Sequence, residues 1–480
     1  MSRRTLTLVA GFSLLHAVLA VCLHAGWIRL QQSGLPGTSR LSPPIIFSDL
    51  PIYHGWANRM AAGEVPYRDF RIEYPPLAAP FFLLPRLIAT TRSGYIMAFA
   101  AEMLVFNALL VALVAGFTAR REGEQRVAGR LGWMTLCWLA LGPFVVGRFD
   151  VVPTVLAFAS AVAWHEGRRA RGGVLAGLGI LAKLSPGVIG VLGFAAEATG
   201  RFRPRWRGTI ACAVVVAAGF AIWFGLAGRG VIETFRYHTE RGVEVGSTAS
   251  GLLWAAAMVT GRGFSILHDH ESANMVTPWS AGVGGLGVPI QVALLGLVAW
   301  RFVKGGRRDF TRFSGAALLA FIVGGKVLSP QYLIWVMPFV VVLDRQTSRL
   351  ARPLFLAACF ATMLIYPVLT DSITVGGRGQ SATMKGVKIA EGASKTIELD
   401  LFSDAKTSGP WSVAAYDPST IMGGGPPSLK FALDKTSGVN GEKLYLTITV
   451  LKKSPYGAEG FWLVSTLSGK RNVWLGLVGN

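Results

Sequence analysis

Five clusters of basic residues separate segments that are almost wholly apolar, and this alternation constrains the fold more than any other feature of the chain. The clusters are Arg120, Arg121, Arg126 and Arg130; Arg168, Arg169 and Arg171; Arg201, Arg203, Arg205 and Arg207; Arg301, Lys304, Arg307, Arg308 and Arg312; and Arg345, Arg349 and Arg352. The intervening segments are long enough to cross hydrocarbon, or to cross and return, which describes an integral membrane protein. Composition agrees, with 52% of the 480 residues hydrophobic and 15% charged, more apolar than an ordinary soluble domain. A formal net charge of +21 would suit nucleic acid if it ran along one face. Lying mainly in short loops between hydrophobic segments, it marks cytoplasmic helix ends by the positive-inside rule, so the expected partner is the bilayer and not nucleic acid. Cys22, Cys137, Cys212 and Cys359 all fall in apolar segments, with no spacing that suggests a disulfide framework or a zinc site.

Threading the chain through these constraints puts the first span at residues 6–27, behind Arg3 and Arg4. At roughly 22 residues it exceeds the apolar region of a cleaved signal and is expected to remain as an anchor, with the N-terminus cytoplasmic. Further helices are expected near 95–118, 131–147, 150–165, 208–227, 286–303 and 353–370, with two bent pairs at 172–199 and 313–344. The halves of each pair, about 13 residues, are short for a full straight crossing. The total is about eleven transmembrane helices, some of them broken. Parity places 47–76, 228–285 and the C-terminus outside. The run 77–88, interrupted by Pro80 and Pro85, must dip in and return or lie at the interface.

The two bent pairs echo each other. "LAKLSPG" sets Lys183 ahead of Ser185 and Pro186, and "GGKVLSPQYLIW" sets Lys326 ahead of Ser329 and Pro330. Such lysines either anchor a helix end at the interface or point their ammonium groups into a cavity and hold an anionic group, most naturally a phosphate. Residues 47–76, "FSDLPIYHGWANRMAAGEVPYRDFRIEYPP", are polar and external. Ser48-Asp49 before Pro51 reads as a helix start, and Ile52, Trp56 and Met60 recur at helical spacing, the pattern of an amphipathic helix on the membrane surface. Asp49 is then an N-cap, a general base at the water–lipid boundary, or both.

After residue 370 the pattern changes to alternation: "KTIELDLF", "WSVAAYD", "LKFALD", "EKLYLTITVLKK", "GFWLVSTL" and "NVWLGLV". In the fourth, Leu444, Leu446, Ile448 and Val450 face one way and Thr447 and Thr449 the other. With 384–391, about seven strands fit a small antiparallel, immunoglobulin-like sandwich. The expected domains are therefore 1–370 in the membrane and 371–480 as an extracytoplasmic β-sandwich of accessory or binding character. "IMGGGPPS" is a loop, without the strand and helix that flank a phosphate cradle.

The ordered set "SDLPIYHGWANRMAAGEVPYRDFRIEYPPL", "GRFDVVPTVLAFAS", "GVLAGLGILAKLSPG" and "GGKVLSPQYLIWVMPF" resembles the bacterial polyprenyl-phosphate-mannose-dependent mannosyltransferases of glycosyltransferase family 87, in the GT-C superfamily. The likeness spans about residues 1–370 and rests on the early external Asp, G-x-x-P-Y at 63–67, Y-P-P-L at 74–77 and K-x-x-S-P-Q-Y at 326–332. It implies a GT-C-like fold in the bacterial inner membrane. It also implies an inverting transfer of a hexose, mannose by the likeness, from a polyprenyl-phosphate donor to an extracytoplasmic glycan or glycolipid. The family's catalytic external Asp maps onto Asp49. Many GT-C members carry paired acidic residues there; the single Asp49 favours a site without a cofactor over one with a divalent metal. Cations for the leaving phosphate are Lys183 and Lys326, joined by Arg236, His238 and Arg241 of "FRYHTERGVEVGS", a stretch that also reads as a solvated loop. Glu73 either holds a sugar hydroxyl or pairs with Arg71, and Tyr74 and Tyr332, the tyrosines of the two motifs, complete the candidate substrate-binding set.

Two further clusters carry alternatives. His268-Asp269-His270-Glu271 has loose spacing for a metal and otherwise reads as an external loop. "GRFD", with Arg148 and Asp150, is either a salt-bridged helix start or part of the donor site. A transporter of an anionic or lipid-linked substrate would also break helices at a buried cation, but leaves the polar first external loop unexplained; a membrane scaffold would present the sandwich.

Overall fold

The computed structural model describes residues 1–32, 49–142, 144–199, 206–232, 234–235, 241–260, 265–269, 272–305, 308–364, 387–399, 409–417, 427–452, 458–467 and 470–479. The chain divides into two compact units, 1–238 with 286–369, and 239–285 with 370–480.

The first unit is helical: α1 Arg3–Gln32, α2 Leu50–Ala61, α3 Ala78–Ile88, α4 Arg92–Glu122, α5 Val127–Leu141, α6 Phe144–Gly147, α7 Val151–His165, α8 Arg169–Ala182, α9 Gly187–Ala198 and α10 Arg207–Ala227. After the second unit's α11, Thr248–Thr260, come α12 Ser280–Lys304, α13 Phe310–Gly324, α14 Tyr332–Val341 and α15 Arg345–Leu364. Among the described residues four helices, within 3–25, 92–122, 207–232 and 280–304, are long and apolar enough to cross a bilayer alone. The chain is a membrane protein, but the expected span at 131–147 is broken. α5 ends at Leu141, Gly142 takes φ +55, and only the single turn α6 follows, because a left-handed residue cannot continue a right-handed helix. Both bent pairs resolve into two short helices, α8 and α9 about Lys183–Pro186, and α13 and α14 about residues 325–331. The run 77–88 forms α3, whose 11 residues cover about 16 Å at 1.5 Å each, half of a hydrocarbon core.

Polar side chains fasten α1 to its neighbours inside this unit. Asn107 Nδ2 lies 2.9 Å from His16 Nδ1, and His16 Nε2 lies 2.9 Å from Thr135 Oγ1. An amide donating to Nδ1 leaves the Nε2 proton for Thr135, whose own hydroxyl donates to the Leu131 carbonyl at 3.0 Å, so each of these donors has an acceptor in a dry interior. Trp138 stacks on the imidazole at 5.1 Å.

α2 forms where the sequence placed it, but turns a different face inward. Tyr53, His54 and Ala57 are buried, whereas Ile52, Trp56 and Met60 are only half-buried. The cause is aromatic packing: Tyr53 stacks on Phe82 at 4.3 Å and His54 meets Tyr95 at 4.8 Å, contacts that a helix lying on lipid alone would not have.

In the second unit, α11 and a hairpin of β1 Ser265–Asp269 and β2 Ser272–Val276 pack through Val243, Leu253 and Met275. The sequence reading placed 228–285 outside without assigning it secondary structure, and read residues 268–271 as an external loop. The remaining strands are β3 Val387–Lys388, β4 Ser394–Leu399, β5 Pro410–Tyr416, β6 Leu429–Leu433, β7 Ser437–Val439, β8 Leu444–Val450, β9 Ala458–Leu467 and β10 Lys470–Gly479. They form a five-stranded sheet in the order β3-β10-β9-β5-β7 and a three-stranded sheet in the order β4-β8-β6. Pairing is antiparallel except for the short parallel contact of β3 with β10, a departure from the all-antiparallel expectation. Leu444, Leu446, Ile448 and Val450 are buried, joined in one core by Trp411, Phe461 and Leu463 of the other sheet.

Candidate functional site

Asp49 holds the cap position of α2, and its carbonyl accepts from Tyr53 N at 2.8 Å. Its carboxylate makes no capping hydrogen bond, so the side-chain N-cap expected from the sequence is not formed. Oδ2 instead ion-pairs with Arg148 and accepts from the hydroxyls of Tyr53 at 3.1 Å and Tyr74 at 3.4 Å. These two hydroxyls are 2.8 Å apart; each carries one proton, so they either both point at the carboxylate or donate in series to it. Burial first, and then the nearby Asp49 charge, holds the Tyr53 phenol well above its ordinary range. Burial, then Tyr53, then Asp49 do the same for Tyr74. Both rings therefore remain hydrogen-bond donors.

A second ion pair lies beside the first. Asp150, whose side chain is 0% exposed, receives Lys183 Nζ at 2.7 Å and Trp335 Nε1 at 2.7 Å on the same oxygen, Oδ1. The ammonium also sits over three rings: Tyr74 at 5.1 Å, Trp335 at 5.2 Å and Tyr332 at 5.7 Å. Local sequence explains the meeting. Lys183 takes an extended conformation where α8 stops ahead of Pro186, so its side chain leaves the helix axis. Tyr332 and Trp335, three apart at the start of α14, share one helix face and stack at 4.0 Å. Arg148 and Asp150 flank Phe149 at the turn into α7. Tyr74 is held from behind by Tyr67, which donates to its carbonyl at 2.7 Å from a backbone with φ +66. That left-handed tyrosine lies against Gly230, where an added Cβ would fall 1.9 Å from the Tyr67 carbonyl oxygen. The close contact admits glycine alone.

The model of glycosyltransferase family 87 matches residues 72–330, more than half of the chain. The chain belongs to glycosyltransferase family 87. It is therefore a membrane glycosyltransferase, which takes a sugar donor and an acceptor. The matched span holds Tyr74, Arg148, Asp150 and Lys183 and ends just past Lys326; Asp49, Tyr53, Tyr332 and Trp335 lie outside it. No curated protein matches the chain.

Of the residues singled out in the transferase sequence, the structure gathers Asp49, Tyr74, Lys183 and Tyr332. Lys326 is half-buried in the loop after α13, beside Gly287 of α12, where an added Cβ would stand 3.6 Å from the lysine's own. Glu73 is half-buried one position before Tyr74. Arg241 belongs to the second unit, and Arg236 and His238 lie outside the described residues. The backbone of His268 and Asp269 runs in β1, and His270 and Glu271 also lie outside the described residues. Among the described residues, no group of three or more His, Cys, Asp and Glu comes together as a metal site. The transferase site adds Tyr53, Arg148, Asp150 and Trp335. Arg148 and Asp150 were legible as "GRFD", and both are salt-bridged as weighed there, though to Asp49 and Lys183 rather than to each other. Trp335 carried no signal in an apolar helix.

Proposed function

We propose that this transferase moves a hexose, mannose in this reading, from a polyprenyl-phosphate donor to a glycan or glycolipid acceptor on the outer side of a bacterial inner membrane, with inversion. Asp49 is the base. The observation that carries this is the difference between the two carboxylates of the cluster: the Asp49 side chain is 19% exposed and that of Asp150 is 0% exposed. A base must reach the acceptor hydroxyl, and Asp49 is the carboxylate that solvent still reaches. In the step, the acceptor oxygen attacks the anomeric carbon from the face opposite the phosphate. The carbon–oxygen bond to phosphate breaks with its electron pair staying on the phosphate, and the hydroxyl proton passes to Asp49. Lys183 and Lys326 lower the energy of the negative leaving group. Tyr74 and Tyr332 line the sugar side, and no cofactor is required. The about eleven spans, the domain boundary near 370 and the immunoglobulin-like, extracytoplasmic character of the sandwich belong to this proposal, as does an accessory binding role for the sandwich.

The test is turnover of purified Asp49→Asn with a polyprenyl-phosphate mannose donor. Asn keeps the shape and can still accept from both tyrosines but cannot take the proton. General bases contribute about 10²–10⁴-fold, so a drop of at least roughly a hundredfold is expected. Transfer at near wild-type rate would overturn the assignment and make Glu73 the next carboxylate to test.

A further inference from the structure

The cluster holds two carboxylates and two cations in matched pairs, so no cation in it stands ready for a donor phosphate without a change of partner. The two pairs differ in what that change would leave behind. If Lys183 left, Asp150 would remain as a fully buried carboxylate with the Trp335 indole N–H as its hydrogen bond and the Arg148 charge, already paired with Asp49, nearby, and an undercompensated buried charge is strongly unfavourable. If Arg148 left, Asp49 would remain at a partly exposed position with the Tyr53 and Tyr74 hydroxyls still donating to it. Lys183 is held besides by three aromatic faces. Arg148, with its flat fork of donors, is the better fit to a phosphate's paired oxygens.

Building on the donor class proposed above, we infer that Arg148 is the donor-phosphate ligand and that it is handed over: it clamps Asp49 while the site is empty of donor, and moves to the phosphate when the donor binds. The exchange has a consequence for the order of events. An arginine on Asp49 competes with the acceptor hydroxyl for the same oxygen, so the base becomes available only once a phosphate has drawn the guanidinium away. The phenols keep the carboxylate aimed during the exchange, and Lys183 keeps its place on Asp150, acting on the leaving phosphate through its field while Arg148 supplies the direct hydrogen bonds. Asp49 and the phosphate are thus rivals for one cation.

Rivalry is measurable in binding, apart from catalysis. The probe is sugar-free polyprenyl phosphate, titrated against wild type, Asp49→Asn, Arg148→Gln and the double variant in one detergent, with the corresponding polyprenol as the phosphate-free control. Freeing Arg148 by Asp49→Asn should tighten phosphate binding by about three- to tenfold, the scale of one ordinary net hydrogen bond. The tightening should vanish in the double variant, and polyprenol binding should be the same in all four proteins. A purely structural pair would instead leave Asp49→Asn unchanged or weaker toward the phosphate, and that result overturns the handover. Wild type that fails to bind polyprenyl phosphate at all overturns the donor class along with it. Should Arg148→Gln lose its fold, the comparison of wild type with Asp49→Asn and Asp49→Ser still decides, since both leave the arginine in place.

Discussion

Lys183→Met should cost the fold as well as the substrate site, because it strands Asp150 at a position with no exposed side-chain surface. Breaking a buried pair from one side typically costs about 3–5 kcal/mol, so thermal unfolding in detergent should fall clearly. Adding Asp150→Asn should restore much of that loss without restoring transfer. An unshifted Lys183→Met would mean that the pair contributes nothing to stability. Lys326→Met is the milder change: folded protein should persist with a raised donor KM, and unchanged kinetics would return Lys326 to the role of an interfacial anchor. His54 supplies a pH dependence. Burial first, then the charges of Arg92 and Arg86, lower its pKa from 6.5 to about 4. The unfolded chain therefore takes up a proton between those values while the folded one does not, and the stability from neutral His54 is complete above about pH 6.5 and lost as pH falls toward 4. Melting temperatures of wild type and His54→Gln should converge in slope above that window and diverge within it, wild type falling more steeply. Parallel curves across pH 7 to 4 would show that His54 does not titrate in this way.

Helix contacts are set by glycine where two backbones meet. At Gly173 of α8 an added Cβ would fall 1.9 Å from the carbonyl oxygen of Gly208 at the start of α10. Gly173→Ala must therefore push the helices apart, at about 1–3 kcal/mol for overpacking. Gly225 of α10 has nothing within 4 Å, and Gly225→Ala should be neutral or stabilising by helix propensity. A melting series that ranks these two the other way would contradict the close approach. The start of α10 is also capped from a distance: Glu197 accepts from Gly208 N at 3.0 Å, Thr209 N at 2.9 Å and Thr209 Oγ1 at 2.8 Å. That cap was not legible in sequence, since capping side chains are sought within three or four positions and Glu197 comes from the preceding helix. α8 and α9 were legible because Pro186 interrupts an apolar run, and the inward alternation of β8 was legible because period two survives without its partners. α11 was missed because a short apolar segment inside a polar external stretch reads as loop until Leu253 finds Val243 and Met275.

At the scale of the molecule the open prediction is orientation. The five basic clusters predict cytoplasmic loops and, by parity, an outer position for residues 371–480. An alkaline-phosphatase reporter joined after Asn480 should be active. An inactive phosphatase with an active cytoplasmic reporter at the same position would overturn the whole threading. Asp49 and α2 depend on this orientation, since the proposed donor is presented at the outer leaflet.

Membrane residence, the two breaks at Lys183 and Lys326, and the family were all carried by the sequence, because each depends on local composition or on ordered motifs that survive without coordinates. The pairing of charges was not. "GRFD" showed an arginine and an aspartate two positions apart, and nothing in the chain said that one would reach back to Asp49 and the other forward to Lys183. Trp335 reaches Asp150 from 185 positions away, and in sequence it is one more apolar residue on an apolar helix. Ion-pair choice is decided by which helix ends the packing brings within about 3–4 Å, and that distance exists only once the helices are assembled.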